Sequence, residues 1–405
     1  MLRRTAVSSG IRAATLFGVL AVGLTSCATE ETPDTDATGH GAIGGAEEVA
    51  EPQLGLTTID PTGTVAHLDL LDESVTELGE VSPAHSMTTD GRYLFAASDT
   101  GVQIVDSGVW TWDHVDHFHY YRAEPQLLGT VDGEGAATIA TTNSSTSGGT
   151  GISFAGSGDA VLLDTEALSR GEIRELFRVE REPHAGLVVP VGSFALLTDG
   201  SGTVTAYDSS GEPTGPEEPC PDPAGSITTR VGAVIGCSDG ALLAHVDGSE
   251  LVVERIPYPE DAPDAAVSGF DNREGRPTVA GLAGPTDIRL LDTRQRAWTL
   301  LTAPAPLAHV TAVDDDDDHL LALAQDGRIL VLDAATGSVL AETSPLVAES
   351  LAAGAAPTLI ADQQRAYLSA PTEKLLYEID YADDARIART FETATEPAFA
   401  AETGR

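Results

Sequence analysis

One phrase recurs along the chain: a short apolar strand, a turn built on Asp or Gly, a second strand that closes on Asp, and a further Gly turn. It reads clearly at Tyr93–Asp106, Phe194–Asp208, Val234–Asp247, Leu320–Asp333 and Ala366–Asp380, and more weakly at Ile152–Asp164 and Thr278–Asp292. Apolar positions alternating across a Gly-bearing turn are the mark of a β-hairpin, and no stretch of the body sustains a long 3.6-residue period. With 41 Gly and 23 Pro but 41% apolar residues, the chain is turn-dense without lacking a core. The class is therefore all-β. Seven phrases over residues 54–405 leave about 50 residues per unit, the size of a four-stranded propeller blade. A single seven-bladed β-propeller is predicted; six or eight blades also fit the irregular spacing, and a pair of β-sandwiches is the rival.

Arg3, Arg4 and Arg12 precede an apolar run from Ala13 to Leu24 that is too short to span a membrane, the layout of a signal peptide over residues 1–26. Leu24, Thr25, Ser26 and Cys27 look like a bacterial lipobox, with an ordinary secretory leader as the alternative. On that reading Cys27 is lipidated, residues 27–53 are a flexible acidic tether, and the protein sits on the extracytoplasmic face of the cell membrane. Cys220 and Cys237 then remain as a pair in an oxidising compartment. A disulfide is favoured over a thiolate metal site because no further Cys could complete one. Lys and Arg total 22 against 63 Asp and Glu, so the formal charge of −41 excludes nucleic acid as a partner.

The densest chemistry lies between Trp110 and Tyr121, where His114, Asp116, His117 and His119 crowd together although the chain has only 10 His. Neutral imidazole is the commonest protein ligand for zinc. On an extended segment Asp113, His117 and His119 would share one face and His114 and Asp116 the other, so two rings could chelate one ion. His85 and His184, each in a Pro-flanked connection, are candidate donors from other blades. The bland alternatives are hydrogen-bonded structural histidines and a solvated polar loop.

The Trp110–Pro125 stretch, the Glu182-Pro183-His184 segment, the Cys220/Cys237 phrase and the closing Glu378–Phe391 region resemble the AztD-type zinc metallochaperones. The resemblance implies an exported β-propeller that holds zinc and hands it to the solute-binding protein of a zinc ABC transporter. It carries over His117, His119 and His184 as zinc ligands, with His85, His114 and Asp116 as additions. The chain departs from that family in having only His40 in its tether, no His in residues 136–145, and Pro221–Ser226 where a His-bearing element is expected, departures that fit fewer zinc ions, weaker binding or loss of the site.

The run Asp314–Asp318 lacks the spaced donors and Gly turn of a calcium loop. No nucleophile elbow, phosphate loop, dinucleotide fingerprint or H-E-x-x-H motif is present, so an enzyme is unsupported and none is expected; the resemblance implies a zinc carrier, expected to be monomeric. A metal-free interaction scaffold is the second reading, and a lactonase or quinoprotein-like propeller the third.

Overall fold

The computed structural model describes residues 45–113, 117–142, 144–260 and 266–405. The signal peptide, Cys27, His40, His114 and Asp116 lie outside these residues. Among the described residues two helices of four and five residues, Thr165–Leu168 and Ala348–Ala352, accompany an otherwise all-β body. Among the described residues no helix is long and apolar enough to cross a membrane.

The strands form a β-propeller in which each four-stranded sheet is a meander of antiparallel neighbours. Each recurring phrase is the hairpin of the second and third strands, as in Tyr93–Ser98 paired with Gly101–Asp106. The phrase-closing Asp has a local cause. Its carboxylate folds over the amide two residues on, as Asp69 does to Leu71 (2.7 Å), Asp106 to Gly108 (2.9 Å), Asp208 to Ser210 (2.8 Å) and Asp333 to Ala335 (3.0 Å). These side-chain-built turns satisfy amides that the sheet ladder leaves unpaired.

Among the described residues eight sheets follow one another, seven of four strands and one of three, where seven blades were predicted. The uncounted one joins Gly55–Ile59, Thr64–Asp69 and Val75–Glu80 to the C-terminal strand Phe399–Thr403, which pairs antiparallel with Gly55–Ile59. Its phrase, Gly55–Asp69, is interrupted by Asp60, Pro61, Thr62 and Gly63, and its inner strand comes from the far end of the chain. This pairing closes the ring and covers sheet edges that would otherwise be exposed. The sixth sheet has three regular strands, Thr278–Leu282, Asp287–Asp292 and Ala297–Thr302, with Asp271 bridging Ala280 on the inner side.

The core lies between consecutive sheets. Tyr93, Phe95 and Ile104 of the second pack on Ile152, Phe154 and Leu163 of the third, while Leu323 and Val331 of the seventh meet Leu368 and Ile379 of the eighth. Each such side chain contributes about 1.5–3 kcal/mol by leaving water. The innermost strands surround a cavity of ≈ 530 Å³ lined by Thr89, Thr141, Thr228, Asp271, His309 and Glu402 among others.

Antiparallel order fixes a consequence for function. First-to-second and third-to-fourth connections lie at one end of the propeller, and second-to-third and fourth-to-first connections at the other.

Candidate metal site on an accessory hairpin

The His-rich segment is an insertion between the third and fourth strands of the second sheet. It forms a hairpin, β2 (Val109–Asp113) and β3 (Phe118–Arg122), and a third strand joins it from upstream, β1 (Glu47–Val49). β1 corrects the tether expectation, which ran to residue 53. The register sets Trp110 opposite Tyr121, Trp112 opposite His119, and Glu48 opposite Tyr121. Trp110, Trp112, His119, Tyr121 and Glu48 therefore share one face of the accessory sheet.

The inner part of that face is fastened to the propeller. Trp110 and Tyr121 are buried and stacked at 5.3 Å, and the Arg92 guanidinium lies 3.7 Å from the Trp110 ring centre. Arg92 in turn makes a two-pronged bond to Asp106, with Nε at 2.9 Å and Nη2 at 2.6 Å, both residues being buried. Gly108 begins the hairpin at φ 78°, where an added Cβ would stand 2.4 Å from the Ala123 carbonyl oxygen, so a side chain is excluded there.

Farther out on the same face, His119 and His117 approach edge to face with ring centres 4.7 Å apart. Their Nε2 atoms are 2.9 Å from each other, and His119 Nδ1 is 2.7 Å from Glu48 Oε1. Two nitrogens on one tetrahedral zinc, each at about 2.0–2.1 Å, stand about 3.3 Å apart, so the pair is within a few tenths of an ångström of chelating geometry. The expected face-sharing of Asp113 does not hold. Asp113 pairs with Phe118, on the face opposite Trp112 and His119.

His85 and His184 are not brought to this pair. Both lie in fourth-to-first connections, at the end of the propeller opposite the accessory hairpin. His85 Nε2 is 3.0 Å from Asp99 Oδ1, and the His184 nitrogens face the backbone carbonyls of Glu182 (2.8 Å) and Thr198 (3.2 Å). His184 therefore emerges at the end of the propeller opposite the His117–His119 pair. His114 and Asp116 lie outside the described residues. Among those residues no group of three or more His, Cys, Asp or Glu side chains is arranged to hold a metal ion.

Other histidines take structural posts: His67 Nδ1 meets Thr57 Oγ1 (2.9 Å), His309 Nε2 meets Asp271 (2.7 Å), and His319 Nδ1 meets Asp315 (2.6 Å). Glu48 escaped the sequence reading because its neighbourhood has the composition of a linker. Cys220 and Cys237 form the expected disulfide, also at the end opposite the hairpin.

No protein-family model matches the chain. Among solved structures it is similar to AztD from Citrobacter koseri, at 20% identity over 88% of this chain and 99% of that one, with a TM-score of 0.76. The apo form of the same protein gives a TM-score of 0.74 at the same identity and coverage. The dihydro-heme d1 dehydrogenase NirN is more distant, at 13% identity, a TM-score of 0.55, and coverage of 88% of this chain and 76% of that one. The chain has the AztD-type fold.

Proposed function

We propose that the protein is an extracytoplasmic zinc carrier that takes its cargo on the accessory hairpin through His117 and His119. The observation that carries the reading is the 2.9 Å approach of the two Nε2 atoms, with a carboxylate on the far nitrogen of one ring. Carboxylate–imidazole pairs of this kind recur behind zinc-ligating histidines. Two protein donors leave coordination positions for water or for a receiving protein, and a site so open suits exchange of ligands better than permanent storage.

The receiver, on this reading, is the solute-binding protein of a zinc ABC transporter. The fold shared with Citrobacter koseri AztD and the resemblance of the His-rich stretch support that assignment. A diacylated Cys27 would keep the monomeric carrier at the membrane, the Cys220–Cys237 disulfide suits an oxidising compartment, and the formal charge of −41 enriches cations near the surface. The protein works as a carrier, without turnover of a substrate.

Zinc titration of the full chain by calorimetry tests the reading. Wild type should bind zinc stoichiometrically, His117→Ala/His119→Ala should lose it with an unchanged thermal midpoint, and His85→Ala/His184→Ala should retain it. Full occupancy in the first double variant would overturn the assignment.

A further inference from the structure

We propose that Glu48 is a positioning residue: delivered by β1, it fixes the ring of His119 so that Nε2 is left as the lone-pair nitrogen facing His117. The inference deepens the zinc reading and rests on it for the identity of the cargo.

The geometry is explicit. An ionised carboxylate can only accept a hydrogen bond, so the 2.7 Å contact between Glu48 Oε1 and His119 Nδ1 requires the proton on Nδ1. In a neutral ring the lone pair then sits on Nε2. The 2.9 Å contact between the two Nε2 atoms follows, with His117 donating and His119 accepting. An ion entering between the rings meets His119 already in its ligating tautomer.

The register explains how the carboxylate arrives. Glu48 stands opposite Tyr121, and His119, two residues before Tyr121, is its diagonal neighbour on the same face. Such diagonal pairs are within reach of long side chains. Tyr121, stacked at 6.3 Å between ring centres, and Trp112, tilted at 5.7 Å, limit rotation of the His119 ring, so the carboxylate selects the tautomer of a ring already oriented. The hairpin alone therefore does not make the site. A three-residue strand whose Glu48 lies 71 positions upstream of His119 completes it.

The test uses the full chain as wild type, Glu48→Gln and Glu48→Ala. Long-range proton–nitrogen NMR of zinc-free protein reads the His119 tautomer, and calorimetry reads zinc affinity. Wild type should show His119 protonated on Nδ1. Glu48→Ala should shift the ring toward protonation on Nε2 and weaken zinc binding about 10- to 100-fold, the usual effect of removing such a partner. Glu48→Gln, whose amide oxygen can still accept from Nδ1, should keep the tautomer and most of the affinity. An unchanged tautomer in Glu48→Ala overturns the inference, and so does a Glu48→Gln protein as weak as Glu48→Ala, which would mean that Glu48 ligates the ion itself. If the tautomer responds as expected while wild type binds no zinc, the positioning role stands and the zinc reading falls.

Discussion

Thr111 Oγ1 donates a 2.7 Å hydrogen bond to the carbonyl oxygen of Gly404, across 293 positions of sequence. The Thr111 amide points the same way, toward the Arg405 carbonyl oxygen at 3.4 Å. These contacts tie β2, the strand that carries Trp112, to the C-terminal strand that closes the propeller. Gly404 holds φ 96°, and a Cβ there would stand 2.0 Å from the Gln53 carbonyl oxygen, so the tie also depends on a residue without a side chain.

Thr111→Val keeps the β-branched shape and removes the hydroxyl. The expected loss is about 1 kcal/mol of stability, the typical net worth of one hydrogen bond, together with faster amide hydrogen exchange confined to β2 and β3. Urea melts and exchange mass spectrometry check this. Uniformly faster exchange across all sheets would mean that Thr111 supports the whole propeller, not the hairpin.

Much of this architecture was legible because the hairpin phrase carries its own turn chemistry, with the closing Asp in most copies capping the amide two residues on. The closing sheet was not, since Phe399–Thr403 and Gly55–Ile59 come from opposite ends of the chain and no local signal pairs them. At the site, the pairing of His117 with His119 followed from strand alternation. The emergence of His85 and His184 at the opposite end could not be read until the strands had been counted, because only strand order decides at which end a connection emerges. Glu48 was hidden for a different reason. A strand of three polar-flanked residues has no periodicity of its own and exists only through its pairing with β3.

Cys220 and Cys237 lie at the end of the propeller opposite the hairpin, with their Cα atoms 5.0 Å apart and a separation of 17 residues. Closing a loop of that length constrains the unfolded chain by about 3 kcal/mol. Cys220→Ser/Cys237→Ser should therefore lower the unfolding free energy read from urea melts by that order while zinc stoichiometry is unchanged. Loss of zinc on reduction would place the ion near the disulfide and not on the hairpin.

His309 and His67 should respond to pH in opposite directions. Burial alone would lower the pKa of His309, but its hydrogen bond and charge pairing with Asp271 reverse the effect and the net shift is upward. Its stabilisation is whole below about 6.5, the ordinary imidazole value, and is lost as pH rises through the higher folded value. For His67 burial dominates, Asp69 only partly opposes it, and the net shift is downward. Neutral His67 therefore suits the fold above about 6.5, and that advantage is lost as pH falls toward the folded value. The stability gap between wild type and His309→Asn should narrow from pH 6.5 to 8, and that for His67→Asn should narrow from pH 6.5 to 5. Urea melts at the three pH values decide it, and trends in the reverse sense would refute both assignments.

Glu402 makes the sharpest pH prediction. It is buried at the central cavity, with Oε2 3.0 Å from Arg405 Nη1, while Arg405 Nε is 2.8 Å from Glu274. Burial pushes its pKa up to about 7; Arg405 pulls downward, and Asp362 and Glu274 add to the rise. A carboxyl raised in the fold contributes stability that is complete below the unfolded value of 4.5 and is lost as pH climbs through about 7. At about 1.4 kcal/mol per unit of pKa, the loss is at most about 3.5 kcal/mol. Glu402→Gln cannot ionise, so its stability should fall less steeply than that of wild type between pH 5 and 8, even though it forfeits the ion pair with Arg405 at all pH values where the wild-type carboxylate is charged. Parallel stability curves over that range would show that Glu402 is already ionised at pH 5 and that Arg405, not burial, governs its charge.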